Sequence, residues 1–483
     1  MVMMKMVMVL LVVVVLGVVI LPHQVQARIG TFWQVTDFHY DVNYTTTGSS
    51  SNMCWDKAKV DLGLGADGSL PGKFGDYECD APLELVKSAI NAMVERQPRP
   101  DFVLWTGDDT AHVSDQYFST DKVVKIIKDL TAMLNQSFPH TPFYPVLGNH
   151  DYYPKNQFPV GTSELQTRVA DMWRPWLKND SYQSFKNGGR YWADVGGTNV
   201  TIVALNTLIW YKSNNNTGNY NDPDGQFAWA DRLLKNLTAR GRRVYLIGHI
   251  PPGTFERYQT TKEGFHWYYP LYNDKFIQMI QRHSGVIEAQ FFAHHHTDSF
   301  RLFFRDQQPH DPGTPVAYQL LAPGVTPWRS SLSKETGANN PGLRLVYYDT
   351  NTGKIKEVST YYLDLGKANA QGKAVWQLEY NFTSSYNLAS ITPASLYDLA
   401  TKLKTNQVLF DRYYRANTVS LEDSSACSSD CRLIHWCAIT EANYTRFSDC
   451  HTSGASSRRW SAPGTRGNIL AWAVLLLVLS VCR

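Results

Sequence analysis

The chain has 483 residues, 18% of them charged and 13% aromatic, with a formal net charge of +3. Lys5 near one end and Arg458, Arg459, Arg466 and Arg483 near the other lie in segments patterned as processing signals, so losing those five charges takes the mature chain to −2. The basic balance therefore gives no reason to expect a nucleic-acid polymer as partner.

The first element is a leader. Lys5 gives a positive start, residues 6–20 are an apolar run too short for a spanning helix, and Val25-Gln26-Ala27 fits a small-x-small cleavage site. Residues 1–27 are thus read as a removed signal peptide and Arg28 as the mature start, rather than as an uncleaved anchor. Short apolar runs then predict strands at 30–35, 102–105, 143–147, 200–205, 244–247 and 288–292. Between them, helical periodicity marks 82–96, 121–134, 163–176, 227–240 and 274–282. That alternation predicts an α/β fold with buried, partly parallel strands. The Asn- and Gly-rich segment 213–225 reads as a mobile surface connection.

After Ser299 the pattern turns to strands at 299–304, 317–321, 343–348 and 355–362, which predicts a second sheet packed on the first with helices outside. From residue 391 the chain reads as a small helical region, with 395–404 helical and four clustered cysteines behind it. Cys482 falls in the tail, leaving six cysteines and fifteen possible pairings. Local spacing favours Cys54–Cys79, Cys427–Cys431 and Cys437–Cys450. Sequons stand at Asn43, Asn135, Asn179, Asn199, Asn215, Asn236, Asn381 and Asn443, which predicts a glycosylated exoplasmic protein. Asn199, at the mouth of a strand, is expected to be the least used. The chain ends in small residues (Ser453-Gly454-Ala455-Ser456-Ser457), a polar spacer at 458–468 and an apolar stretch at 469–481. This is the layout of a GPI attachment signal with Gly454, Ala455 or Ser456 as the attachment residue, favoured over a tail helix because the apolar stretch is short.

Five segments carry the chemistry: Asp37-Phe38-His39, Gly107-Asp108-Asp109, Gly148-Asn149-His150-Asp151, Gly248-His249-Ile250 and Ala293-His294-His295-His296. Four of the five follow a strand-like run, so the ligands are expected to meet at one edge of a sheet. Carboxylates, a carboxamide and imidazoles together suit a divalent first-row ion better than calcium or magnesium. Asp108 is the natural bridge of a two-metal site. Asp37 and His39, two residues apart, are expected to share one face of an extended strand, as are His294 and His296. His295 then points away and packs elsewhere. Asp151 is read as orienting a histidine or capping a helix.

These segments resemble the calcineurin-like metallophosphoesterases. Within them, Gln34-Val35-Thr36-Asp37-Phe38-His39, Trp105-Thr106-Gly107-Asp108, Val146-Leu147-Gly148-Asn149-His150-Asp151, residues 291–299 and Asn339-Asn340-Pro341-Gly342 resemble the acid sphingomyelinase-like phosphodiesterases, and the C-terminal signal points to a membrane-anchored member. The resemblance implies a two-sheet catalytic sandwich at 28–390, a disulfide-stapled helical subdomain at 391–452 and an attachment signal at 453–483. It implies two zinc ions per chain: one on Asp37, His39, Asp108 and His296, the other on Asp108, Asn149, His249 and His294. It also implies a metal-activated water attacking phosphorus in line. His150 then contacts the transition-state phosphoryl group and His112 protonates the leaving group, or the two exchange roles.

Two departures from the pattern stand out. Ala293 replaces the usual glycine before His-x-His, which is expected to alter the approach of that loop. Ala111 stands where purple acid phosphatases carry a tyrosine, which speaks against an iron–tyrosinate centre. Asp37 is the tenth residue of the mature chain, leaving no room for the lipid-lifting module that precedes acid sphingomyelinase's catalytic domain. A monomeric enzyme acting on small phosphodiesters or nucleotides, held at a membrane by a lipid anchor, is therefore expected before sphingomyelin hydrolysis. The rival class is a catalytically weak surface protein that binds phosphocholine lipids; the intact ligand set weighs against it.

Overall fold

The computed structural model describes residues 28–58, 70–305, 314–333, 336–422 and 424–459. The segment 1–27, expected to be a leader, and the apolar stretch at 469–481 lie outside the described residues. Two sheets face each other. One runs β12 (Trp376–Asn381), β11 (Ile355–Leu363), β10 (Gly342–Asp349), β1 (Ile29–Val35), β2 (Phe102–Trp105), β3 (Phe143–Pro145). The other runs β4 (Tyr191–Asp194), β5 (Val200–Ala204), β6 (Arg243–Ile247), β7 (Ile287–Phe292), β9 (Pro315–Leu321), β8 (Ser299–Phe304). The two-sheet sandwich expected from the sequence is present, but its division differs. The late strands do not form a sheet of their own: β8 and β9 extend one sheet, while β10 to β12 extend the other through the antiparallel β1–β10 pair. Strand periodicity carries no information about which sheet a strand joins.

The centres of both sheets are parallel, β1 with β2 and β3, and β5 with β6 and β7. Parallel neighbours need crossovers. Helices α1 (Leu83–Arg96) and α2 (Thr120–Ser137) supply them in one sheet, and α5 (Gln226–Ala239) and α6 (Pro270–His283) in the other. Every parallel strand therefore ends at the same side of the molecule. Between the sheets Phe32 stacks on Phe102 at 4.5 Å and meets Phe291 edge-on at 5.3 Å, so rings from both sheets interlock. Burying each such ring stabilises the fold by roughly 2–3 kcal/mol. In the polar seam between the sheets Arg344 donates to Asp298 Oδ1 and to the Leu321 carbonyl, both at 2.7 Å.

Element boundaries shift where proline or a cap intervenes. Pro145 ends β3 two residues before the expected limit, because it cannot donate to the ladder. The helix expected at 163–176 becomes α3 (Glu164–Met172), stopped ahead of Pro175, since a residue before proline disfavours helical angles. Pro270 opens α6 at the first helical turn, earlier than periodicity indicated. The segment 213–225, expected to be a mobile connection, is instead tied down. Asn214 is fully buried and donates to the Phe158 and Leu208 carbonyls, and the Tyr272 hydroxyl reaches the carbonyls of Thr217 and Tyr220.

Of the C-terminal helices, α9 (Pro393–Thr405) packs on β8 and β9 of the second sheet and α11 (Ser429–Thr440) on β8, with α10 (Gln407–Asn417) against α9 and α12 (Tyr444–Arg459) against α11. The apolar faces of α9 and α10 join the central core, while Leu433, Ile434, Ala438 and Phe447 form a small cluster of their own between α11 and α12. The three expected disulfides, Cys54–Cys79, Cys427–Cys431 and Cys437–Cys450, are all present. Of Gly454, Ala455 and Ser456 only the helical backbone is described.

His435 on α11 lies wholly inside this helical region, its ring 3.3 Å from the Tyr413 hydroxyl, and burial pulls its pKa down to about 4. The unfolded chain takes up that proton near pH ~6.5 while the folded chain does not. Stability is therefore full above that pH and falls between pH ~6.5 and 4, by up to ~3 kcal/mol from this group. Urea midpoints measured across that window should fall less steeply for His435→Gln than for the wild type.

Candidate metal centre

Each central parallel strand releases its loop into one buried space. Asp37 and His39 follow β1, Asp108 follows β2, Asn149 and His150 follow β3, His249 follows β6, and His294 and His296 follow β7. The site thus spans the matching edges of two sheets, not the edge of one. The pleat relation expected for Asp37 with His39, and for His294 with His296, does not operate. All four have left-handed backbones, with φ of 50°, 40°, 72° and 58°. The chain has already left the strand and coils, and this separates the two β7-loop imidazoles between two clusters.

In the first cluster His39 Nε2 lies 3.2 Å from His296 Nε2, 3.8 Å from Asp37 Oδ1 and 3.5 Å from Asp108 Oδ2, and His296 Nε2 is 3.4 Å from Asp37 Oδ1. In the second, His249 Nε2 lies 3.0 Å from Asp108 Oδ2 and 3.2 Å from His294 Nδ1. Asp108 belongs to both. Asn149 joins from β3: its Nδ2 donates to Asn156 Oδ1 at 2.9 Å, which leaves Oδ1 buried without a partner.

The donor set fits divalent cations. His39 Nδ1 meets the Thr110 carbonyl and His249 Nδ1 the Thr106 carbonyl, each at 2.7 Å, so both rings are fixed with Nε2 as the lone-pair nitrogen. Those lone pairs face carboxylates and other imidazoles, an arrangement that needs positive charge between the groups. Asp37 Oδ1 and Asn149 Oδ1 are buried and unpartnered, as expected of atoms that point at an ion. Burial lowers the basicity of His39 and His249, but the neighbouring carboxylates more than offset it and push both up to about 9, which shows how strongly this pocket favours positive charge.

Two further histidines border the centre. His112 stacks on His39 at 4.0 Å on one face and on Trp328 at 3.7 Å on the other, and His150 meets His112 edge-on at 4.4 Å. Burial, with the charge on neighbouring imidazoles, holds both well below the usual histidine range. No motif marks Asp80, whose only signal is that it follows Cys79. Its Oδ1 accepts from His112 Nδ1 at 2.8 Å and its Oδ2 from the His112 backbone N–H at 2.6 Å. This fixes the His112 tautomer and leaves Nε2 for the site.

Two expectations are corrected here, and a third is borne out. Asp151 orients no histidine and caps no helix. Its carboxylate accepts the backbone N–H groups of Gly148, Asp108 and Asp109 at 2.8, 2.9 and 2.7 Å, clamping the β2 and β3 loops together. Ala293 does not alter its loop, since its backbone angle is not left-handed and its N–H bonds normally to the His249 carbonyl at 2.9 Å. His295 points away and packs, as expected, with its Nδ1 against buried Glu256 at 2.8 Å.

Asp80→Asn should leave metal content unchanged while turnover of a phosphodiester falls ~100-fold, the value of one positioned proton donor. Metal analysis alongside kcat checks this; loss of metal would show Asp80 to support the centre itself.

Comparison with known proteins agrees with this geometry. Residues 30–298 match the calcineurin-like phosphoesterase family and 314–457 the acid sphingomyelin phosphodiesterase C-terminal region. The chain is 39% identical to acid sphingomyelinase-like phosphodiesterase 3b of Mus musculus, over 89% of this chain and 91% of that one. It is 37% identical to cyclic GMP-AMP phosphodiesterase SMPDL3A of Homo sapiens, over 87% and 90%. It is 33% identical to sphingomyelinase phosphodiesterase C of Dictyostelium discoideum, over 89% and 95%. With two loop clusters built around one buried aspartate, the chain belongs to the acid sphingomyelinase-like phosphodiesterases of the calcineurin-like phosphoesterase family.

Proposed function

We propose that the protein is a binuclear zinc phosphodiesterase held at the outer face of a membrane by a GPI anchor, acting on soluble phosphodiesters or nucleotides such as CDP-choline or ATP. The observation that carries the catalytic part is the shared Asp108 carboxylate, flanked by two imidazole clusters whose lone pairs have no other partner. Asp37, His39, Asp108 and His296 would hold one ion, and Asp108, Asn149, His249 and His294 the other. The mixed nitrogen and oxygen donors favour zinc over calcium or magnesium. When bound, the ions would supply an acidified water as nucleophile and neutralise the non-bridging phosphate oxygens.

The remaining work falls to this chain's own side chains. His150 has a buried, unpartnered Nδ1 and borders the clusters, so it can donate to the phosphoryl group as negative charge builds there. His112, its Nδ1–H held by Asp80, turns Nε2 toward the site, and its imidazolium form, which an anionic phosphate alongside would favour, could give a proton to the departing oxygen. Tyr211, Phe255, Trp267 and Trp328 wall the cavity above, of about 310 Å³, and exclude water from the reacting groups.

Location rests on other signals. The leader, the three disulfides and the sequons support an exoplasmic site. Asn43, Asn135, Asn179, Asn215 and Asn236 are exposed. Asn199 and Asn443 are half-buried, and each spends its side-chain nitrogen on a protein acceptor, Gly241 O and Asp274 Oδ1.

Purified protein should contain two zinc ions per chain and hydrolyse bis-p-nitrophenyl phosphate. His150→Ala should keep the zinc and lose at least ~100-fold in kcat; metal-free protein with equal background rates for both would overturn the catalytic reading. Phosphatidylinositol-specific phospholipase C should release the protein from cells, whereas retention would favour a tail helix.

A further inference from the structure

Another cavity, of about 580 Å³, opens at the end of β3 opposite the metal centre: Pro142 and Tyr144 line it, whereas Asn149 and His150 leave the far end of that strand. Strands β3 and β4 each take the outermost position in their sheets. Tyr144 of β3 and Trp192 and Asp194 of β4 line this groove, so the free edges of both sheets meet there. The Tyr191 hydroxyl joins them by donating to the Pro145 carbonyl at 2.9 Å. Open strand edges invite pairing with another chain and are ordinarily covered.

The groove has the make-up of a carbohydrate seat, in which ring faces carry the apolar C–H surface of sugars and a few polar groups hold the hydroxyls. Trp176 and Trp192 are half-buried in its wall, and Trp176 rests on Phe143 at 4.5 Å, which fixes its plane. Tyr144 is 5% exposed, yet its hydroxyl has no hydrogen-bond partner among the described residues. Burial, then the charge of Asp194, raises its pKa, which puts the hydroxyl on the side of that carboxylate in the groove wall. A buried hydroxyl left unpartnered costs about 1–3 kcal/mol, so a ligand that meets it gains by doing so. The volume falls within the roughly 300–1,000 Å³ of ordinary ligand pockets.

The sequence supplies the occupant. Residues 178–181 line the groove without a break, and they hold the sequon Asn179-Asp180-Ser181 at the head of α4 (Asp180–Gly188). Asn179 is exposed and its side chain makes no capping bond, so its amide nitrogen is open to carry a glycan. Asn135 also stands on the rim, in the last turn of α2, but Gln136 and Ser137 behind it do not line the groove. A sugar chain rooted in the wall reaches an effective concentration that a free ligand or a second copy does not match.

We propose that the N-glycan of Asn179 folds back into this groove, sets its inner sugars on Trp176 and Trp192, and shields the meeting edges of the two sheets. This rests on the exoplasmic reading above, since only a chain that enters the secretory pathway receives the glycan.

Full-length protein made in mammalian cells under a mannosidase inhibitor carries oligomannose at every used sequon. Endoglycosidase H is applied to the native protein, and glycopeptide mass spectrometry reads the rate of release at each site. A seat filled ten to one hides its glycan about nine-tenths of the time, so Asn179 should be cleaved about tenfold more slowly than Asn135. Trp192→Ala should bring the two rates within about twofold of each other while phosphodiester turnover is unchanged. Tyr144→Phe keeps the ring and the fold, and should speed release at Asn179 about threefold to tenfold, the value of one hydrogen bond. Equal rates in the wild type, a slow Asn179 rate that neither variant moves, or an empty Asn179 beside other occupied sequons would overturn the seat. A chain without any N-glycan would remove the exoplasmic reading as well.

Discussion

Five of the seven residues placed at the metal centre, Asp37, His39, Asp108, His294 and His296, have left-handed backbones although none is glycine. Each such residue costs of order 1 kcal/mol or more and persists only where its surroundings over-determine it. The rest of the site supplies those surroundings. The Asp37 and His39 N–H groups bond to the carbonyls of Gly107 and Asp108, so the β1 loop is laced to the β2 loop. Asp151 then binds three N–H groups of the β2 and β3 loops with one buried carboxylate. Close packing completes the arrangement: a side chain at Gly148 would collide with Asp108, and one at Gly107 with the Gly148 backbone. These side chains are therefore aimed by the protein's own packing and hydrogen bonds, which is the pre-organisation a metal site requires.

A second buried carboxylate does the same for the β7 loop and links it to the C-terminal helices. Glu256 accepts from His295 Nδ1 at 2.8 Å, Thr297 Oγ1 at 2.6 Å and Asn417 Nδ2 at 3.1 Å, with Arg301 3.6 Å away. His295 and Thr297 bracket His296, and His295 also follows His294. Asn417, at the end of α10, also reaches the Asp298 carbonyl and accepts from Arg257. The helical region is thus part of the scaffold that sets the imidazoles, which gives a physical reason for the catalytic and C-terminal family regions to occur in one chain. A pair of carboxylates, Asp151 and Glu256, holds the two halves of the site.

Much of this was legible in the sequence. Gly-Asp, Gly-Asn-His-Asp and His-x-His after strand-like runs located the centre, because parallel strands must all end at one side. The disulfides followed from spacing, and the helices from periodicity. What stayed hidden was the chemistry between distant residues. Asp80 and Glu256 carry no local pattern, and only tertiary folding brings them to His112 and His295. The left-handed turns were invisible for a related reason: side-chain alternation describes a strand, and these ligands begin where the strand stops. Asp151 illustrates both points, being conspicuous by position yet serving three amides rather than a ring. The assignment of late strands to two sheets was likewise beyond a pattern that records burial but not partners.

The central claim is that this pre-aimed cluster holds two ions around Asp108. Diffraction data from crystals of the purified protein, collected above and below the zinc absorption edge, test it most directly. The account predicts two anomalous peaks roughly 3.5–4 Å apart, one beside Asp37, His39 and His296 and one beside Asn149, His249 and His294, with Asp108 touching both. A single peak, or peaks away from these side chains, would contradict it.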